Sequence, residues 1–239
     1  MDSGNYLLDR LPAEVLKRLM PDLVEVQIER HQVVHHPGEE ILDLYFPVTC
    51  MISVTVTMQD GKTVEAGAVG SREVVGINAF MGGAETTQTE YVGQVAGKAW
   101  KIAAAPLKEE FDRNSELRSV LLKYTQAMIA QISQNTACNR LHEVDERCSR
   151  WLLDVRDRVR SDTLALTHEF IGEMLGANRT TVSLAMSELQ NKGLIEYTRG
   201  HIKLLNVPEL ERISCECYSV LQTEYERLLG NMRPAIITS

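Results

Sequence analysis

Arg179, Thr180, Ser183, Leu184 and Ser187 are spaced to share one side of a helix, and Val182, Met186 and Leu189, at i, i+4 and i+7, share the other. A guanidinium at a helix N-terminus can donate both arms to guanine O6 and N7, and small hydroxylated side chains beside it, Thr181 included, can reach phosphates or base edges. Lys192, Arg199, His201 and Lys203 follow closely in the chain. This is chemistry for reading a DNA major groove. Nothing in the chain offers a nucleophile–base set, a metal-binding motif or a glycine loop for phosphate, so an enzyme is not expected.

The elements that must position these residues have their own signals. Thr167 can N-cap a helix His168–Leu175, in which Phe170, Ile171, Met174 and Leu175 form the apolar stripe. Gly176 permits a bend, Asn178 can cap again, and a second helix is expected from about Arg179 to Gln190. After Lys192-Gly193 the apolar period changes to two on either side of Arg199-Gly200, which predicts a β-wing with basic residues at its tip. Two short helices across so tight a turn read as helix-turn-helix. A helical hairpin that only packs is the bland alternative.

The segment IGEMLGANRTTVSLAMSELQNKGLIEYTRGHIKL resembles the winged-helix module of the CRP/FNR family of bacterial transcription regulators. The resemblance implies that Arg179 takes the place of the arginine with which family members read guanine. Thr180 and Leu184 stand where the best-known members carry glutamate and arginine, so a different base preference is implied. The partners implied are double-stranded DNA, a second copy of the chain, RNA polymerase and an unidentified small-molecule effector.

The net charge is −8 and the sequence pI about 5.3, which argues against coating nucleic acid through bulk positive charge and leaves room for a local basic patch. No apolar run is long enough to span a bilayer, and MDSGNYLLDRLPAEVL lacks a basic start, so a cytoplasmic protein with no membrane partner is expected. The five cysteines, Cys50, Cys138, Cys148, Cys215 and Cys217, are scattered and odd in number, as suits reduced thiols. Cys138 and Cys148 are candidates for redox sensing. Cys215-x-Cys217 is too short a spacing for a zinc motif and is expected to pack within a C-terminal helix. No cysteine precedes Cys50, whereas FNR-like members with an iron–sulfur cluster carry an N-terminal group, so such a cluster is not expected.

Upstream, a helix is predicted over Tyr6–Met20, ended by Pro21. From there to about Ile102 the alternation in Val24/Val26/Ile28 and Ile52/Val54/Val56/Met58 predicts strands, with Asp60-Gly61 as a hairpin and Pro37-Gly38 and Gly82-Gly83 as further turns. An α+β chain is expected, with an N-terminal antiparallel barrel or jelly roll. The region resembles the cyclic-nucleotide-binding-like sensor of the same family, with VGSREVVGINAFMGG at the phosphate-binding cassette. Placing Gly76 on the cassette's first glycine puts Ile77 at the glutamate, Thr87 at the arginine and Gln88 at the serine that hold cyclic AMP in binding members. A cyclic phosphate buried without a cation is costly, so cyclic AMP is not expected to bind in the usual way. The candidate pocket is Gly76, Ile77, Asn78, Thr86, Thr87 and Gln88, with Ile132 and Ser133 from the helix that follows. It reads either as a site for a neutral polar ligand or as an exposed polar loop. His31, His35 and His36 match no metal or haem pattern, and solvated or hydrogen-bonded histidines are expected.

A long helix is predicted from about Ser115 to Leu141, apolar on more than one face: Leu117, Leu121, Tyr124 and Met128 on one, with Leu122, Ile129 and Ile132 widening it. One face can rest on the sensor and another on a second copy, as the family's dimer helix does, unless its own chain covers both. Gln131, Gln134, Asn135 and Asn139 would set register. Residues 1–142 are then the sensor with its dimer helix 115–141, and 143–239 the DNA-binding part. In the latter, Arg156, Arg158 and Arg160, alternating with Asp154, Asp157 and Asp162, read as a solvated face, and Pro208 opens a last helix expected to pack on the winged helix. The leading reading is a homodimeric, sequence-specific transcription regulator. The alternative is a thiol-redox or small-molecule sensor that works through protein partners.

Overall fold

The computed structural model describes residues 3–82, 86–231 and 236. The expected first helix is two: α1 (Tyr6–Asp9) and α2 (Ala13–Leu19), followed by a 3-10 turn at Met20–Asp22. The break falls at Leu11-Pro12, because proline has no N–H to donate and bars its predecessor from helical geometry. Asn5 starts α1 by accepting hydrogen bonds from the Leu7 and Leu8 amides at 3.1 and 3.2 Å.

Strands β1 (Val24–Ile28), β2 (Val33–His35), β3 (Asp43–Pro47), β4 (Met51–Thr57) and β5 (Thr63–Val69) precede a short helix α3 (Asn78–Met81). Strands β6 (Glu90–Val95) and β7 (Gly97–Ala103) follow it. They form two antiparallel sheets, ordered β1-β7-β3 and β2-β6-β4-β5, rather than a closed barrel. Ile28, Leu44 and Phe46 of one sheet share a core with Ile52, Val54 and Val69 of the other. The β4–β5 ladder ends at Thr57 opposite Thr63 across the Asp60-Gly61 turn, as expected. Of the other turns, Gly83 lies outside the described residues. Of the three histidines, His31 and His36 are exposed as expected and His35 departs from expectation. His35 is buried edge-on between the Tyr45 and Tyr91 rings, and burial holds its pKa below the ordinary value, while His36 is exposed beside Glu90.

Helix α4 (Ala104–Arg113) leads into α5 (Ser115–Leu141), the predicted long helix, which Asn114 caps by accepting from the Glu116 and Leu117 amides. Leu117, Leu121, Tyr124 and Met128 enter the core between the two N-terminal sheets, and Leu122, Ile129 and Ile132 face solvent in this chain. Gln131 and Asn135, expected to set register between copies, instead lie buried against β5: Gln131 Oε1 accepts from the Ala68 amide at 2.8 Å, and Asn135 Nδ2 donates to the Ala66 carbonyl at 3.0 Å.

Helix α6 (Val144–Val159), β8 (Thr163–Leu164), α7 (His168–Leu175) and α8 (Arg179–Asn191) follow, then β9 (Ile195–Thr198), β10 (His201–Leu204), α9 (Val207–Ile213) and α10 (Cys217–Leu229). Strands β8, β10 and β9 form a third small sheet in that order. The expected last helix is thus broken, and Cys215 and Cys217 lie at the break instead of within one helix. The first part of this segment packs on the winged helix as expected, with Leu210 of α9 and Tyr218 of α10 in its core, whereas α10 then runs back along α5 and its Tyr225, Leu228 and Leu229 join the N-terminal core. Among the described residues no helix is long and apolar enough to cross a membrane.

Candidate nucleic-acid interface

The helix-turn-helix is built by local chemistry. Thr167 Oγ1 accepts from the Phe170 amide at 3.3 Å, Gly176 ends α7 in the left-handed conformation, and Asn178 Oδ1 caps α8 by accepting from the Thr181 amide at 2.8 Å. Gly172 has to lack a side chain, because a Cβ there would sit 2.8 Å from the Ala177 carbonyl oxygen, across the turn. Val182, Met186 and Leu189 are buried with Trp151, Ile171 and Ile202. That packing leaves Arg179, Thr180, Leu184 and Ser187 exposed on the opposite side of α8, with Thr181 and Ser183 half-buried at its edge. Leu184 is 68% exposed, an apolar group that could meet a thymine methyl.

The wing sits beside this face. Strands β9 and β10 pair Thr198 with His201, and Arg199 and Gly200 both take positive φ, as a two-residue hairpin turn requires. Arg199, His201 and Lys203 are exposed on it. Gln190 Oε1 accepts from the Tyr197 amide at 2.9 Å and ties the wing to the end of α8. Lys192 is held by Glu188 at 2.6 Å, so part of its charge is already answered within the helix.

His168 joins the two parts of the module. Its Nδ1 lies 3.1 Å from Ser183 Oγ, its ring packs 4.2 Å from that of Tyr197, and its Nε2 is buried without a hydrogen-bond partner. Burial, and then the charge of Arg179, hold its pKa below the ordinary 6.5. The folded state therefore binds fewer protons than the unfolded one, so stability present at neutral pH is lost as the pH falls below 6.5. Wild type is expected to lose more of its urea midpoint than His168→Gln between about pH 7.5 and about pH 5.5. Equal losses would remove His168 from this role.

Of the candidate effector pocket, the structure groups one part around α3. Asn78 Nδ2 donates to the Thr86 carbonyl at 2.8 Å, Thr86 bridges to Glu40, and the Thr87 and Thr89 hydroxyls lie 2.8 Å apart. Gly76 takes positive φ against Asp43 and Leu44, Ile77 is in the core, and Gln88 is exposed. The polar groups of this loop thus mostly satisfy one another. Ile132 and Ser133 are on the solvent-facing side of α5. Arg72, the cation of the cassette segment, is turned away: it donates to Gln222 at 2.8 Å and lies over the Tyr225 ring.

Sequence reasoning missed the joint between the N-terminal sheets and the helix-turn-helix part. Arg158, read as part of a solvated face, is buried. It clasps Glu73 with two nitrogens at 3.1 and 3.2 Å and donates to the Ala68 and Asp154 carbonyls. Burial works against its charge, but Glu73 and Asp154 outweigh that and hold its pKa above the ordinary range. Asp157 accepts from Tyr218 at 2.8 Å and Gln222 at 2.9 Å, and Asp154 pairs with Arg150 at 2.7 Å. Gly70 admits α6 here, since a Cβ would stand 2.2 Å from that of Arg158. Trp151 Nε1 donates to Glu65 at 2.9 Å, and burial raises the Glu65 carboxyl above its ordinary range. Alternating acids and bases along α6 look the same in sequence whether water or another domain faces them.

Comparison with known proteins agrees with this geometry. A Crp-like helix-turn-helix domain matches residues 146–213. The chain is 22% identical over 213 residues to a global nitrogen regulator of Synechocystis sp., covering 83% of this chain and 93% of that protein. Its counterpart in Nostoc sp. is 21% identical, covering 85% and 96%. Among solved structures, FixK2 from Bradyrhizobium japonicum superposes with a TM-score of 0.69 at 18% identity, covering 81% of this chain and 98% of that one. A regulator of the crp/fnr family from Eubacterium rectale gives 0.66 at 15%, covering 89% and 99%.

Proposed function

We propose that this chain, whose residues 146–213 match a Crp-like helix-turn-helix domain and whose fold is that of crp/fnr-family structures, is a transcription regulator of that family that reads a near-palindromic DNA site as a homodimer. The observation that carries this reading is the exposed face of α8, with Arg179, Thr180, Leu184 and Ser187 beside a basic wing. Thr167, Asn178, Thr181, Ser183, Lys192, Arg199, His201 and Lys203 surround that face, the exposed donors against phosphate and the caps as its frame. The test is a selection of bound fragments from random DNA by the purified protein. An enriched near-palindrome supports the reading, and no preference over random DNA at low salt refutes it.

The second subunit is proposed to pack on α5. Leu122, Ile129 and Ile132 are 47%, 58% and 36% exposed on one stripe, as a helix–helix seam requires before its partner arrives. Ile129→Glu is expected to shift the protein from dimer to monomer in sedimentation and to abolish binding to the paired half-sites, with helix content unchanged. A variant that remains dimeric would move the interface elsewhere.

Control is proposed to come from an effector other than conventionally bound cyclic AMP, since Thr87 and Gln88 replace the ligand pair and Arg72 is engaged by α10. Ligand would act by shifting the population of dimer geometries that match the half-site spacing. Calorimetry with cyclic AMP is expected to show no heat of binding, and micromolar binding would overturn this part.

A further inference from the structure

Four side chains that the sequence keeps far apart meet where α5 ends and α10 begins. Cys138 is in the last turn of α5, His142 is its C-cap, and Cys215 and Cys217 flank the break before α10. Each offers one ligand atom, and all four atoms lie within 4.8 Å of one another. The three thiols are buried, and the His142 side chain is 18% exposed. Cys138 and Cys215 Sγ are 3.6 Å apart, and Cys217 Sγ is 3.5 Å from His142 Nδ1.

Those separations have a simple meaning. Two sulfurs each about 2.3 Å from a tetrahedral zinc lie about 3.8 Å apart, and a sulfur and an imidazole nitrogen about 3.6 Å. The Cys138–Cys215 and Cys217–His142 separations match these edges to within the size of a small adjustment. A cluster with two irons would need ligands on its separate irons to stand farther apart than this set allows.

The surroundings are built for such an ion as well. His142 presents Nδ1 to the sulfurs while its Nε2 is 3.0 Å from the Glu216 carboxylate, the carboxylate–imidazole arrangement that fixes the tautomer of a metal-bound histidine. Gln134 Nε2 donates to Cys217 Sγ at 3.1 Å. Three thiolates leave a divalent ion with one net negative charge. The buried Arg150 guanidinium, which pairs first with Asp154 at 2.7 Å and also feels Cys138 and Cys215, can offset part of it. Sequence spacing concealed the set because Cys-x-Cys is shorter than the usual ligand pair, and its complement, Cys138-x-x-x-His142, lies on another helix.

We propose that Cys138, His142, Cys215 and Cys217 form a mononuclear, tetrahedral site for a zinc-class transition-metal ion, which pins the C-terminal end of α5 to the start of α10. Soft thiolates and four-coordinate geometry favour zinc among divalent ions that prefer oxygen or octahedral surroundings. With no open position, the site is structural.

The full-length protein, reduced and stripped with chelator, is titrated with Co(II) and separately analysed for zinc. About one ion per chain is expected, with the intense ligand-field and sulfur charge-transfer bands of tetrahedral cobalt bound to thiolates. Cys138→Ser and Cys217→Ser are expected to lose the bands, whereas Cys50→Ser and Cys148→Ser keep them. Glu216→Gln is expected to keep the stoichiometry and weaken affinity about 10- to 100-fold, which a packing role for Glu216 would not do. A folded, reduced wild type that takes up neither ion overturns the proposal. So does a Cys138–Cys215 disulfide that, once reduced, still leaves the protein unable to bind metal, and that result assigns the pair to thiol chemistry. These readouts involve no DNA, so their failure leaves the proposed function standing.

Discussion

Arg158→Met is expected to destabilise the fold by about 3–5 kcal/mol, because it strands a buried carboxylate without its counter-ion. Glu73 has no exposed side-chain surface, and Arg158 supplies two of its hydrogen bonds. The Tyr225 hydroxyl, which donates to Glu73 at 2.8 Å, is neutral and cannot replace a full charge. Urea unfolding followed by circular dichroism measures the loss. Arg158→Met combined with Glu73→Leu should recover most of it, since an ion pair replaced whole by apolar groups of similar volume is often neutral or better. A single-variant loss under about 1 kcal/mol would mean that the pair behaves as a solvated surface bridge.

The second large effect falls on recognition. Arg179→Ala should weaken binding to the selected site by about 1–3 kcal/mol, roughly 5- to 150-fold, and leave affinity for random DNA nearly unchanged. The side chain is exposed at the first turn of α8 and forms no salt bridge among the described residues, so its removal has little to disturb in the free protein. Lys203→Gln serves as the contrast: a phosphate contact weakens all sequences alike and lowers the log–log salt slope by about 1. Anisotropy titrations at several salt concentrations separate the two. Equal loss on specific and random DNA for Arg179→Ala would reassign it to the backbone.

The helix-turn-helix and its wing were legible in the sequence because their signals are local. Thr167 and Asn178 cap the helices they were expected to cap, and Arg199-Gly200 makes the turn that its alternating flanks implied. The same holds for α5, whose limits follow from its apolar period. What stayed hidden depends on partners distant in sequence. Arg158 meets Glu73, 85 residues away, and Cys138 meets Cys215, 77 residues away. Gln131 and Asn135 looked like seam residues, since a polar group on an apolar helix has the same period whether it faces another subunit or the edge of β5. Tyr225 and Gln222 were invisible as functional parts, because α10 acquires its role only by folding back to the cassette segment.

The joint between α6 and the cassette loop is closed largely by ionised and hydrogen-bonding groups, and that choice bears on how easily it reopens. An aliphatic seam resists separation because its surface has nowhere better to go, whereas Arg158, Glu73, Asp154 and Asp157 regain hydration as soon as water enters. The joint is therefore a latch and not a weld: exacting about its closed geometry, since every charge needs its partner, yet inexpensive to undo as a unit. A shift of the Arg72-Glu73 segment would break its bonds to Gln222 and Arg158 in one stroke.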